Sequence, residues 1–250
     1  MPVATTNTRD LDRDDARKLR PGDDHYLAYV GPPGQYDYMG ATQFRLLTTL
    51  GLRESHRVLD LGCGSLRAGR LLIPYLLPDC YHGIEPNMWL VDEAIEHQLG
   101  RDILRVKRPR FDANSEFRAD VFGVEFDFIV AQSIFSHATP ELTVTALQNM
   151  RKALSPGGLI ACTFVEAPLG DSADFAEGWV YPHCVRYTAA EVATLFGRAG
   201  LSARRIPWFH PRQTWYLGAL DAAQLPAGDE LRELGGAVLR DPEFRKSIVP

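Results

Sequence analysis

Apolar and polar positions in the middle of this chain follow two periods that alternate. Short apolar runs over Arg57 to Leu61, Tyr81 to Glu85, Phe126 to Ala131 and Leu159 to Phe164 have the pattern of buried strands. Between them, apolar positions recur every three or four residues over Leu66 to Leu77, Met88 to Gln98 and Thr139 to about Leu154, the pattern of helices covering one face. The last of these opens with an N-cap threonine and a proline at its first position. Thr188-Ala-Ala-Glu191 is a capping box for a further helix that ends at Gly200. A helix through Phe44, Leu46, Leu47 and Leu50, stopped by Gly51, precedes the first strand. Glu116 to Ala119 reads as one more short strand, and Ser155-Pro-Gly-Gly158 as a turn. Ser202 to Pro207 and Gln213 to Leu220 are joined by Trp208 to Arg212, too short for a parallel crossover, so the last strand runs antiparallel. The expected fold is α/β: a seven-stranded, mostly parallel sheet with an antiparallel last strand and helices on both faces.

Outside the alternating region the pattern weakens. Residues 9 to 20 mix acids and bases with almost no apolar content and read as a solvated arm or frayed helix. The reading is therefore an N-terminal arm (1–35), a main domain (36–220) and a polar tail (221–250) with one weak helical stretch, Asp229 to Leu239. Within the main domain, 165–187 exceeds ordinary loop length and carries Trp179 and Tyr181, as expected of a lid or acceptor wall. At 250 residues a single main domain of this kind is feasible. The formal charge of −5 gives no general attraction to nucleic acid or anionic lipid. Cys63, Cys80, Cys162 and Cys184 lack metal-knuckle spacing and suit reduced thiols. The first ten residues hold no signal core, and Leu71 to Leu77 is too short to span a bilayer, so a cytoplasmic location is expected.

The candidate chemistry begins at Val58-Leu-Asp-Leu-Gly-Cys-Gly-Ser-Leu-Arg67, a strand, a glycine turn and a helix start. A dinucleotide fingerprint would place a third glycine where Arg67 stands, and Asp60 would repel a pyrophosphate while favouring a ligand with an ammonium group beside its nucleoside. Glu85, at the end of the next strand, is placed to accept from two ribose hydroxyls. Asp120 is placed to accept from an adenine amine, with Val121 or Phe122 covering the ring. Arg67 either reaches a cofactor carboxylate or pairs with an acid. These residues, with Gly-Ile-Glu-Pro86, Phe-Asp-Phe-Ile-Val-Ala-Gln132-Ser133 and Leu-Ser-Pro-Gly-Gly-Leu159, resemble the class I S-adenosylmethionine-dependent methyltransferases over roughly residues 36 to 220. The resemblance implies a Rossmann-like sheet and S-adenosylmethionine as cofactor. It assigns Asp60 and the turn Gly62, Cys63 and Gly64 to the methionine moiety, Glu85 to the ribose and Asp120 to adenine. Tyr38, Arg67, Pro86, Val121, Gln132 and Ser133 complete the expected cofactor set, Tyr38 offering an aromatic face to the sulfonium.

Three loops beyond strand ends each carry a histidine, and His137, His183 and His210 are the candidate general bases, His137 first. No acidic cluster accompanies them, so no metal is expected. The strand-four motif lacks Asn/Asp-Pro-Pro-Tyr, which disfavours nucleobase or glutamine methylation. The expected reaction is methyl transfer to a hydroxyl or carboxylate oxygen of a small molecule such as a sugar or specialised metabolite. A small amine is the alternative acceptor, and a non-catalytic S-adenosylmethionine-binding protein the alternative class. The expected partner is the small-molecule acceptor, with no nucleic acid and no membrane, and a homodimer is left open.

Overall fold

The computed structural model describes residues 7–167 and 178–235. In chain order these form α1 (Arg13–Ala16), α2 (Tyr26–Tyr29), α3 (Tyr36–Thr49), β1 (Val58–Leu61), α4 (Gly69–Tyr75), β2 (Tyr81–Ile84), α5 (Met88–Ala94), α6 (Asp102–Lys107), β3 (Arg110–Asp112), β4 (Phe126–Ala131), α7 (Pro140–Ala153), β5 (Leu154–Glu166), β6 (Arg186–Tyr187), α8 (Ala189–Arg198), β7 (Ser202–Ile206), β8 (Thr214–Ala219) and α9 (Gly228–Glu233). The described residues divide into two compact units, one of 7–56 and 63–113, the other of 57–62, 114–167 and 178–235.

In the first unit β2 and β3 pair in parallel, His82 opposite Arg110 and Ile84 opposite Asp112. Here the structure corrects the sequence reading: the third strand is Arg110–Asp112, and Ala119–Phe122 is a single 3₁₀ turn. The charged flanks hid a strand whose one aromatic, Phe111, packs on the Tyr81 ring and on the bare face of Gly83. The run at 9–20, expected as a solvated arm, is docked instead. Ala16, Tyr26, Leu27, Tyr36 and Leu90 form one buried cluster, with Leu19 and Trp89 packed against it. The ion pairs of this segment, Arg9 to Asp24 at 2.8 Å and Arg13 to Asp37 at 2.7 Å, are exposed and screened by water, so apolar burial holds it down. The helix expected over 88–98 is α5 followed by one wide π turn over Ile95–Leu99.

The second unit holds β1, β4 and β5 in parallel order, then β8 antiparallel to β5, and β7 antiparallel to β8. The reversed last strand is as expected. The strand count is not: eight occur among the described residues, because Arg186–Tyr187 adds a two-residue strand parallel to the end of β5. Ser155-Pro-Gly-Gly158 is also no separate turn. It is a bulge inside β5, where Phe126 faces Leu154 but Phe128 faces Leu159. A Cβ at Gly158 would lie 2.8 Å from the Phe126 carbonyl, so glycine is what lets the bulge close. The core centres on Phe164, fully buried and ringed by Phe135, Tyr187, Phe196 and Tyr216 at 5.2–6.3 Å. α8 opens with the expected reciprocal Thr188–Glu191 capping box. Part of the expected lid (168–177) and the end of the weak helical stretch (236–239) lie outside the described residues. No helix among those described is long and apolar enough to cross a membrane.

Two helical glycines separate packing from propensity. A Cβ at Gly40, in α3, would lie 2.2 Å from the Arg67 carbonyl oxygen, whereas at Gly197, in α8, it would meet nothing within 4 Å. Gly40→Ala gains about 1 kcal/mol of helix propensity but costs about 1–3 kcal/mol in overpacking against backbone. The expected outcome in urea denaturation is net destabilisation for Gly40→Ala and about 0.5–1 kcal/mol of stabilisation for Gly197→Ala.

Candidate active site

The glycine turn is built by the chain around it. Gly62 and Gly64 adopt φ of 72° and 52°, values that an L side chain rarely takes. At each glycine the space a side chain would take is filled by the chain itself. A Cβ at Gly64 would lie 2.7 Å from Val30 Cγ1, and one at Gly62 would lie 2.1 Å from Ile134 Cδ1. Cys63 N–H donates to the Ile84 carbonyl at 3.1 Å, and Gly64 N–H to Glu85 Oε2 at 3.0 Å. The other oxygen of Glu85 accepts from Asn87 N–H at 2.8 Å. Glu85 is buried, and burial pushes its carboxyl upward against these two backbone donors.

The turn is pinned a second time through Ser65. The buried Tyr36 hydroxyl donates to the Ser65 carbonyl at 2.6 Å and accepts from Gln98 Nε2 at 2.9 Å. Tyr36 thus serves the turn, while Tyr38, one position off that face, is half-buried. Arg67 Nη1 donates to the Val30 carbonyl at 2.9 Å, holding the residue that packs on Gly64. Pro86 follows Glu85 into the exposed approach to α5.

In the second unit Asp60 is buried on β1, paired in register with Val130. Beyond β4 the chain turns at Ser133, whose φ of 63° is unusual for a residue with a side chain. Thr163 Oγ1 accepts from Ser133 N–H at 2.8 Å, and Gln213 Nε2 donates to Ser133 Oγ at 3.1 Å. Asp120 lies exposed on the 3₁₀ turn, 3.7 Å from Arg118, with Val121 half-buried and Phe122 packed on Phe126.

The three histidines have three different surroundings. His137 is half-buried between Trp179 and Tyr181, with ring centroids at 5.7 and 5.0 Å, and its Nδ1–H donates to the His183 carbonyl at 2.6 Å. That bond makes Nε2 the ring's acceptor. Burial pushes this imidazole below the ordinary histidine range, opposed by the bond to His183. His183 contributes its backbone carbonyl there, and its own ring is exposed. His210 is buried and its Nδ1 accepts from Arg212 and Gln213 N–H at 3.1 and 2.9 Å, so its proton sits on Nε2 and the ring caps a turn. The described part of the lid is tied down by Val180 N–H on the His137 carbonyl, Val185 N–H on the Ser136 carbonyl and the Tyr187 hydroxyl on the Ala138 carbonyl.

Some members of this constellation were not anticipated. Thr163 is the one polar residue in the core of the apolar run of β5, a signal that could have been read; Gln213 carries none. Glu166, at the end of β5, accepts both Arg205 Nε and Nη2 and the Tyr216 hydroxyl; burial pushes it up, but these donors outweigh it and hold it low. Among the described residues no group of histidines, cysteines and carboxylates is placed to hold a metal.

In the first unit the turn at Gly64 beside the buried Glu85 suits hydroxyl donors, and in the second the buried Asp60 suits a cation, each better than it suits a pyrophosphate. Residues 59–160 match a family model described as a methyltransferase domain. The fold is similar to that of the magnesium protoporphyrin IX methyltransferase of Synechocystis PCC 6803 crystallised with SAH, at 15% identity and a TM-score of 0.58 over 83% of this chain and 94% of that one. It is similar to DesVI of Streptomyces venezuelae, at 15% identity and a TM-score of 0.58 over 82% and 100%. A glycopeptide N-methyltransferase, MtfA, complexed with SAH gives 13% identity and a TM-score of 0.54 over 73% and 90%. No curated protein matches.

Tyr36→Phe removes the hydroxyl that joins the Ser65 carbonyl to Gln98 and leaves buried polar atoms short of partners. The expected cost is about 1–3 kcal/mol in urea denaturation, with faster amide exchange at Gly64 and Ser65.

Proposed function

We propose that this chain is a class I S-adenosylmethionine-dependent methyltransferase and that it moves the methyl group to an oxygen of a small molecule. Asp60 and the turn Gly62, Cys63 and Gly64 hold the methionine end of the cofactor, Glu85 the ribose hydroxyls and Asp120 the adenine amine. The buried carboxylates fit this group, since each gives an ammonium or a hydroxyl an acceptor in a place where water is scarce. When bound, the cofactor supplies an electrophilic methyl on a sulfonium, open to in-line attack.

The observation that carries the oxygen reading is His137. Its Nδ1–H is committed to the His183 carbonyl, which fixes the tautomer and leaves Nε2 to accept a hydroxyl proton. Its lowered pKa keeps the ring neutral, and so able to act as a base, near neutral pH. His183 acts as the positioning partner through its backbone, and His210, protonated at Nε2, shapes the loop before β8. Trp179 and Tyr181 flank the base.

General-base help is typically worth 10²–10⁴-fold, so His137→Ala is expected to lower turnover at least tenfold with affinity for S-adenosylhomocysteine kept. Unchanged turnover across an acceptor panel removes the base role. The pH profile adds a sign: a depressed pKa keeps the base form present below pH 6.5, so the acid limb of kcat/KM is expected below that value. A limb above pH 6.5 contradicts the assignment.

A further inference from the structure

The end of β4 and the start of β8 carry buried polar atoms that the protein leaves without hydrogen-bond partners. Gln132, 7% exposed, has neither its Nε2 nor its Oε1 bonded. Gln213 donates through Nε2 to Ser133 Oγ at 3.1 Å and Ser136 Oγ at 3.5 Å, but its Oε1 is buried and unbonded. Trp215, the second residue of β8, buries its Nε1–H in the same way. Trp215 pairs across the sheet with Thr163, the residue that holds Ser133, so these side chains share one neighbourhood of the second unit.

Nearly all buried polar groups in folded proteins are bonded, and an orphan carries a desolvation cost without return. Four such atoms gathered around one strand end mark a place where the missing partner comes from outside the chain. Their chemistry is mixed: Gln132 Nε2 and Trp215 Nε1 are donors, while Gln132 Oε1 and Gln213 Oε1 are acceptors. A carboxylate only accepts and would face the two amide oxygens unpaired. An ammonium only donates and would leave the two N–H groups unpaired. A pair of neighbouring hydroxyls donates and accepts at both positions.

We propose that Gln132, Gln213 and Trp215 form the acceptor-recognition subsite and that it selects a neutral polyhydroxylated acceptor over a carboxylate or an amine. This rests on the methyltransferase reading and narrows it. It moves Gln132 from the expected cofactor set to the acceptor, where Ser133 and Ser136 act as positioning residues by orienting Gln213.

The test uses the full-length protein saturated with S-adenosylhomocysteine and two probes of one carbon skeleton, cyclohexane-1,2-diol and cyclohexanecarboxylate, with dissociation constants from ligand-observed NMR. The diol is expected to bind at least tenfold more tightly than the carboxylate, and Gln132→Leu and Gln213→Leu are each expected to weaken it at least tenfold. Both variants are expected to bind S-adenosylhomocysteine within twofold of wild type. Gln132→Leu is expected to leave Tm unchanged or raise it, because it removes an orphan amide at near-constant volume. Equal or tighter carboxylate binding, binding of neither probe to the loaded protein, or diol binding indifferent to both variants overturns the proposal. So does a lowered Tm in Gln132→Leu, which would reveal a structural bond, or a tenfold loss of S-adenosylhomocysteine affinity in that variant, which would return Gln132 to the cofactor. Failure of the wild-type protein to bind S-adenosylhomocysteine counts instead against the methyltransferase reading itself.

Discussion

The buried carboxylate of Glu85 takes one amide proton from the glycine turn at Gly64 and another from Asn87 at the entry to α5. An ionised group in that position is costly unless its lone pairs are used, and burial does push its pKa upward. The two backbone donors offset part of that cost and tie the turn to the end of β2. Conformation reinforces the tie: Gly64 sits at a positive φ with Val30 packed where a side chain would begin, and Val30 is in turn held by Arg67. The first unit therefore spends its polar contacts on fixing backbone. What remains of Glu85 for a ligand is the spare lone-pair capacity of two oxygens already oriented by the fold.

The three histidines show how little a residue type says before its hydrogen bonds are known. Loop position made all three candidates in the sequence, each beyond the end of a strand, with His137 ranked first. In the structure His210 accepts through Nδ1, His137 donates through Nδ1, and His183 lends its carbonyl to His137. The direction of one bond decides whether a neutral imidazole presents a lone pair or a proton at its far nitrogen. The residues that make the difference, Arg212, Gln213 and His183, act through their backbones, and backbone geometry leaves no mark on side-chain composition.

The same distinction explains what was legible in the sequence. β1, β2, β4 and the reversed β8 could be read because each is a short apolar run, and the capping box at Thr188 because its two side chains bond within one turn. β3 could not, since Arg110-Phe-Asp112 has one apolar residue and owes its place to pairing with β2. The bulge at 155–158 looked like a turn because proline and glycine mark both, and only the register shift against Phe126 and Phe128 separates them. Docking of the charged segment at 9–20 rests on Ala16, a residue that carries no amphipathic signal, and on a pocket made by Tyr26, Leu27, Tyr36 and Leu90. For the candidate site, Asp60, Glu85 and the glycine turn stood out as candidates because chemistry and spacing coincide. Thr163 left only its polarity within an apolar run as a mark, and Gln213 none, because their roles exist only once β4, β5 and β8 lie side by side.

Each unit holds both engaged and unbonded buried polar atoms, Arg70 Nε and Gln98 Oε1 being unbonded in the first. In the first, the hydroxyl of Tyr36 and the carboxylate of Glu85 are each engaged at least twice, as a rigid backbone cradle requires. In the second, Glu166 is saturated by Arg205 and Tyr216 at the rim, whereas Gln132, Gln213 and Trp215 keep donors and acceptors unspent. A folded protein tolerates unspent groups only where something else holds the structure, and here the ring packing around Phe164 supplies that support. Selectivity between acceptors follows from the same economy: a site whose buried groups need both donors and acceptors penalises any molecule that offers only one kind. The strength of the core and the openness of the polar groups above it are therefore two sides of one arrangement.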